Sequence, residues 1–322
     1  MLAQLVAQLQ QAVSLVQKQD IQTAARQLGQ RVFHPHTGAA IALGDDCAAI
    51  PQGEGYLLLA AEGIWPQLVQ EDPWFAGWCA VMVNVSDIYA MGGHPLAVVD
   101  AIWSQTPDAT EPIWEGMTAA SRTFNVPIVG GHSNHHSPYN ALAVSILGQA
   151  KALITSFNAQ PDDVLLLAVD LDGQAHPKYP FWNAATHKDG ETLQANLAIL
   201  PLLAERGWCD AGKDVSMGGV IGTLLMLLET SGVGARLALD ALPSPQGVPL
   251  LQWLLSFPSY GFLLSVRPNR VLDVQALFRD RAIACEAVGQ ILSDRSLTLS
   301  LGNDVMPFWD LPHQPLTGFA PP

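Results

Sequence analysis

Positive charge is scarce in this sequence. Against 29 Asp and Glu stand only 15 Lys and Arg, a formal net charge of −14 over 322 residues. A field of that sign repels nucleic-acid phosphates and anionic lipid headgroups, so neither is an expected partner. Cysteine is scarcer still. Cys47, Cys79, Cys209 and Cys285 lie far apart and form no C-x-x-C pair, which argues against a zinc knuckle and against a disulfide framework. Buried free thiols in a reducing compartment are the expectation. Long hydrophobic runs are also missing. The longest apolar stretches, such as Val220–Leu228, fall short of the roughly 20 residues a membrane-spanning helix needs. Met1–Gln30, rich in Gln, Ala and Leu, lacks a basic start followed by an apolar block, so it does not read as a signal peptide. These absences place the expected location in the cytoplasm. No solenoid-length repeat or low-complexity tract is present.

What is there is core material. Apolar residues make up 49% and charged residues only 14%, the reverse of a disordered composition. The length suits two medium domains, because single cores stop growing at roughly 250–300 residues. Apolar positions at helical spacing (Leu5, Val6, Leu9, Val13, Val16) predict a helix or helix pair over 3–28. Short apolar runs at 39–43, 56–60, 96–103, 126–129, 141–147 and 164–169 read as strands, and so do 235–239, 262–266 and 284–291. Helices are expected over 77–91, 110–124, 191–206, 215–229 and 271–281. Strands and helices mix without strict alternation, which favours α+β layers. The turn Gln160-Pro161-Asp162-Asp163 marks the expected boundary, giving domains 1–157 and 158–322.

Five clusters sit at the apparent ends of these elements. Gly44-Asp45-Asp46-Cys47 is either an Asp-rich turn or a pair of carboxylates for a hard cation. Glu62 follows an apolar strand, where a carboxylate serves equally as ligand or terminator. Asn84 and Asp87 share one face of a helix that is otherwise apolar all round. A carboxylate buried there needs a metal, a base or strong donors. Val129-Gly130-Gly131-His132-Ser133 reads as a strand ending in paired glycines, whose N–H groups could cradle phosphate; glycine pairs also serve any tight turn. His132, His135 and His136 raise the idea of a transition-metal site, but no matching Cys or acidic spacing supports it. Asp214-Val215-Ser216-Met217-Gly218-Gly219 opens a helix, either as an anion site or with Asp214 or Ser216 as a simple N-cap. Two aromatic, Pro-rich loops, 176–180 and 257–260, are either pocket walls or rigid surface, and Lys178 and Lys188 are the scarce cations near an anionic substrate's path.

The order of the clusters resembles the superfamily of aminoimidazole-ribonucleotide synthetase, selenophosphate synthetase, thiamine-monophosphate kinase and the hydrogenase-maturation protein that dehydrates a carbamoyl group. Gly44–Ile50 (GDDCAAI) looks like the kinase-type GDDAA element. Asn84–Pro95 (NVSDIYAMGGHP) matches the N-x-S-D-I-x-A-M-G-x-x-P helix, and Ile128–Ser133 (IVGGHS) matches the Gly-Gly-x-Ser/Thr loop. Asp214–Val220 (DVSMGGV) looks like the element opening the second domain. The resemblance implies two α+β domains, a homodimer built through the N-terminal domains, ATP and Mg²⁺ as cofactors, and a small-molecule substrate activated through the γ-phosphate by a transferase or ligase reaction. It implies Asp46, Glu62 and Asp87 as Mg²⁺ ligands and Asp87 and Asp214 as catalytic groups. Asp45, Asn84, Gly130, Gly131, His132, Ser133, Ser216, Gly218 and Gly219 would then contact nucleotide. Two positions depart from the pattern: Glu62 replaces the family's Asp, and Met217 replaces the second Asp of the kinase motif. None of the four activities fits cleanly, which implies a separate branch. A catalytically silent nucleotide-binding or scaffold subunit is the alternative.

Overall fold

The computed structural model describes residues 1–321. The chain opens with α1 (Leu2–Gln10), α2 (Val13–Val16) and α3 (Ile21–Leu28), then the antiparallel pair β1 (Arg31–Phe33) and β2 (Ala40–Ala42). Next come β3 (Ala48–Gln52), β4 (Gly55–Gly63), α4 (Pro66–Glu71), α5 (Pro73–Ala90), β5 (His94–Trp103), α6 (Glu111–Phe124), β6 (Ile128–Asn134) and β7 (Ala141–Ala150). They are followed by β8 (Val164–Val169), β9 (Gln174–Ala175), β10 (Phe181–Asn183), α7 (Gly190–Leu197), α8 (Ile199–Glu205), β11 (Ala211–Asp214) and α9 (Gly219–Ser231). The last elements are β12 (Gly234–Ala238), α10 (Leu250–Leu254), β13 (Phe257–Pro258), β14 (Gly261–Val266), α11 (Val271–Arg279), β15 (Ala284–Leu292), β16 (Ser296–Leu301) and β17 (Asp304–Asp310). The class is α+β, as the mixed pattern of strands and helices implied.

The chain forms two compact units that do not follow the expected division at 157/158. One comprises Cys47–Ala152 with Lys188–Pro201; the other comprises Met1–Asp46, Leu153–His187 and Leu202 onward. The reason is hydrophobic. Leu2, Leu5, Val6 and Leu9 of α1, with Leu15, are buried in the same core as Leu165, Leu224, Leu263 and Phe308. The amino-terminal segment therefore belongs to the later unit's core.

The unit around Cys47–Ala152 has a five-stranded sheet ordered β3-β4-β7-β5-β6, antiparallel except for the parallel pair β5/β6 joined through α6. One face of the sheet carries the buried row Leu58, Ala60, Val98, Ile102, Val144 and Ile146. Helix α5 starts where Asp72 accepts the Phe75 N–H at 3.2 Å and Pro73 presets the first turn. It stops at Met91, after which Gly92 adopts φ 74°. Nearly every α5 side chain is buried. The backbones of α5 and α6 approach so closely that a Cβ on Gly116 would lie 1.9 Å from the Trp74 carbonyl oxygen. In the same unit α7 docks on α6, and Gln194 Nε2 donates to the Thr123 carbonyl at 2.7 Å.

The other unit is built on a seven-stranded sheet ordered β11-β14-β8-β15-β12-β16-β17. Central β8 is apolar throughout, as the run at 164–169 requires of a strand covered on both faces. The single helix expected over 191–206 is two, α7 and α8. The loop at 176–180 joins β9 to β10, whereas the run 257–260, read as a loop, begins as strand β13 of the same small sheet β13-β10-β9, where Phe181 meets Phe257 edge to face. No helix among the described residues is long and apolar enough to cross a membrane.

Candidate functional site

The acidic turn after β2 is built around a cation that the sequence reading did not include. Gly44 has φ 107°, and a Cβ there would meet the Phe319 side chain at 2.7 Å, so glycine is required both by conformation and by space. The turn then presents Asp45 and Asp46 to Lys213, the third residue of β11. Lys213 is buried; its ammonium donates to Asp46 Oδ1 and lies 3.5 Å from Asp45 Oδ1. Asp45 is further committed to the backbone: Oδ2 accepts the Ser156 N–H at 2.7 Å and Oδ1 accepts the Asp46 N–H at 3.0 Å. Asp46 Oδ2 and Ser156 Oγ are buried without a hydrogen-bond partner.

The electrostatics follow from this geometry. Burial pushes the Asp45 carboxyl from the ordinary 3.8 up to about 6, opposed by Lys213 and reinforced by Asp46. Burial disfavours the Lys213 ammonium, yet the Asp46, Asp45 and Asp214 carboxylates outweigh it and hold Lys213 above its usual range. Asp45 thus acts as a support, while Asp46 keeps one oxygen uncommitted.

The second element opening proved different from its reading. Asp214 ends strand β11 and does not cap a helix. Helix α9 starts at Gly219, with Gly218 at the cap in a left-handed conformation and no side-chain cap. Ser216 instead makes its own turn: its N–H donates to Thr223 Oγ1 at 3.1 Å, and its hydroxyl accepts from Lys18 Nζ at 3.3 Å. Gly219 is fixed by packing, since a Cβ would lie 2.2 Å from the Leu254 carbonyl oxygen.

In the Cys47–Ala152 unit, Asn84 and Asp87 are buried on α5 as the sequence required. Asn84 Nδ2 donates to the Ala80 carbonyl at 2.8 Å, and its Oδ1 has no hydrogen-bond partner. Glu62 is exposed near the end of β4. Gly130 and Gly131 do not end a strand; they lie within β6, opposite Val99 and Asp100 of β5. Because β6 is the sheet edge, part of its backbone still lacks a strand partner. His132 and Ser133 continue the same edge strand and are exposed. The three histidines are not assembled: His135 Nδ1 pairs with Ser104 Oγ at 2.8 Å. No group of three or more His, Cys, Asp or Glu among the described residues is arranged to hold a metal ion.

Beside the glycines lies an open recess of about 640 Å³ between α6 and the β5/β6 edge, with Asp100, Trp114, Thr118, Gly131 and Ser133 among its walls. Asp100 is 6% exposed, and neither of its carboxylate oxygens has a hydrogen-bond partner among the described residues. Burial raises its pKa. Lys213 and Asp100 both escaped the sequence reading. The signals were present but faint: a lone Lys directly before Asp214, and an Asp interrupting the apolar run 96–103.

Comparison with known proteins gives this arrangement a family. Residues 44–150 match AIR synthase related protein, N-terminal domain, and residues 163–302 match AIR synthase related protein, C-terminal domain. The chain belongs to the AIR synthase related family. An uncharacterized protein of Synechocystis sp. is 59% identical over 99% of both chains. The PurL subunit of phosphoribosylformylglycinamidine synthase from Methanosarcina acetivorans is 25% identical over 86% of this chain, which spans 42% of that protein. Among solved structures, PurL of Thermotoga maritima complexed with ATP superimposes with a TM-score of 0.73 at 16% identity, covering 96% of this chain and 53% of that one. At that identity the likeness shows the fold, and the expectation of an AIR-synthetase-like α+β architecture holds.

Proposed function

We propose that the chain is an ATP- and Mg²⁺-dependent enzyme that uses the γ-phosphate to activate an amide, carbonyl or phosphate oxygen of a small metabolite. The observation that carries this reading is Asp46: a buried carboxylate fixed through one oxygen by Lys213 and leaving the other unpartnered. Hard carboxylate oxygens suit Mg²⁺, and Asp46 keeps one such oxygen unpartnered, although no three acids among the described residues stand together as a ready-made metal site. By the family resemblance Asp46, Glu62 and Asp87 are assigned to the metal. When bound, the metal neutralises charge on the transferring phosphate, the main demand of this chemistry. Lys213 and Asp45 orient Asp46, and Asn84 and the edge-strand amides at Gly130 and Gly131 are assigned to the nucleotide. Asp214 is assigned to the phosphates. The complex of Thermotoga maritima PurL with ATP supports the cofactor.

A homodimer through the sheet is part of the same proposal. On the face opposite α5, Leu59 pairs with Leu147 and Val99 with Ser145, and Leu59, Val99 and Leu147 are 38–47% exposed. A contiguous apolar sheet face of this kind suits a second copy of itself.

One observation favours the silent-subunit alternative: Lys213 already neutralises the acidic turn, as a structural counter-ion would. Calorimetry with a non-hydrolysable ATP analogue separates the two. Mg²⁺-dependent binding, reduced at least tenfold in Asp87→Asn at unchanged melting temperature, is expected. Absence of binding by the folded protein, with and without Mg²⁺, would remove the enzyme reading.

A further inference from the structure

Helix α9 joins two of the candidate clusters, both within one compact unit. It starts at the glycine turn Gly218-Gly219, and its far end holds the acidic turn from two sides. On one side, Ser231 Oγ and Thr230 Oγ1 donate to the Ser156 carbonyl at 2.6 and 2.8 Å, and the Ser156 N–H donates in turn to Asp45 Oδ2. On the other, the buried Glu229 carboxylate accepts the N–H groups of Leu316, Thr317 and Gly318. The next residue, Phe319, lays its side chain against Gly44, directly before Asp45. Gln30 brackets that contact: its Nε2 donates to the Gly318 carbonyl at 3.1 Å and its Oε1 accepts the Ala320 N–H at 2.6 Å. Gly232, which closes α9 at φ 69°, lies so near Pro321 that a Cβ there would sit 2.7 Å from Pro321 Cγ. The segment 315–321 is thus a strap, tied at Glu229 and pressed on the acidic turn at Phe319.

Resting on the phosphate-transfer reading above, we propose that Glu229, acting through the strap and Phe319, is a positioning residue for Asp46. A turn led by glycine is free to adopt many backbone conformations. Pressed by Phe319 on one side and held through Ser156 on the other, this one presents Asp46 in a single arrangement. Hydrogen bonds to an ionised carboxylate are the strong ones, and Glu229 makes four, so the strap is anchored at its tightest point one residue before Phe319. Phosphoryl transfer depends on positioning more than on covalent chemistry from the protein, which makes a rigid support for Asp46 functional.

The test reads amide exchange at Ser156, whose N–H donates to Asp45 and not to the strap, together with calorimetric binding of ADP with Mg²⁺. Phe319→Ala and Glu229→Gln should each speed exchange at Ser156 by about tenfold relative to the core strand β8. Phe319→Leu, which refills the contact with another apolar side chain, should keep most of the protection. The double variant should exchange no faster than the faster single one, because both act through one strap. ADP should bind the two loosened variants about tenfold more weakly than the wild type. Unchanged exchange at Ser156 in Phe319→Ala, or effects that add in the double variant, overturns the strap. Unchanged ADP binding by a variant with a loosened Ser156 overturns the positioning role. Failure of the wild type to bind ADP overturns the reading on which the proposal rests, and exchange at Ser156 then still judges the strap.

Discussion

Replacing Lys213 with Met tests whether the acidic turn depends on its internal cation. The substitution keeps the length and apolar stem but removes the charge that pairs Asp46 and Asp45. Removing one partner of a buried ion pair costs about 3–5 kcal/mol, because the other charge remains buried and uncompensated. The pH dependence carries the sharper signature. In the wild type, Asp45 is raised from 3.8 to about 6. A carboxyl raised on folding favours the folded state below its unfolded value, and that contribution is lost as pH climbs through the folded value. Wild-type stability should therefore decline between about pH 4 and pH 6 from this group. The Lys213 ammonium is itself raised, so its contribution is complete at neutral pH and is lost only in alkali, above its ordinary 10.5. Without Lys213, the influence holding Asp45 down is gone, so its carboxyl rises further and the declining window moves toward alkaline pH. Thermal melts should show a Tm drop on the order of 10 °C at pH 8 and less than half of that at pH 5. An equal drop at both pH values, or a variant melting within about a degree of the wild type, would refute the reasoning.

Glu229 anchors the tail of the chain: its carboxylate accepts the N–H groups of Leu316 at 2.8 Å, Thr317 at 2.7 Å and Gly318 at 3.2 Å, and the Thr317 hydroxyl at 2.6 Å. Glu229→Gln replaces an acceptor oxygen with a donor, costs about 1–3 kcal/mol, and should speed amide exchange at residues 316–318; unchanged protection there would count against the anchoring role. The dimer proposal predicts that Leu59→Lys with Leu147→Lys gives a monomer by light scattering at concentrations where the wild type is dimeric, and a wild-type monomer would end that proposal.

Local signals in the sequence translated well. The helix read over 77–91 is the body of α5, which begins a turn earlier at Pro73 behind the Asp72 cap, and the apolar run at 164–169 is β8, because periodicity acts over a few residues. The signals that misled were ambiguous between two local outcomes. Paired glycines read as a turn, yet Gly130 and Gly131 continue β6, where Gly131 is needed because Asp100 approaches it. Asp214 and Ser216 have good capping chemistry, yet the pairing of β11 with β14 holds Asp214 in a strand opposite Phe262. The assignment of the first 46 residues failed for a different reason. The amphipathic pattern of α1 shows that it must bury one face but not which core receives it.

The least legible features are the long-range electrostatic ones. Lys213 and Asp46 are 167 positions apart, and Ser156 and Asp45 are 111 apart, so no spacing rule could join them. Yet a chain with net charge −14 must offset each carboxylate it buries, and the offsets can be followed one by one. Asp163 is met by Ser265 Oγ at 2.7 Å and by Arg267. Glu229 is met by the four donors of the tail, and Asp46 by Lys213. Among the described residues Asp100 is the acid with both oxygens buried and unpartnered. The sheet could have filled that position with Val or Ile, as it does at Val98 and Ile102, without the desolvation cost of an acid. An acid kept there against that cost should destabilise the fold, and Asp100→Leu, expected to melt no lower than the wild type, tests that cost directly.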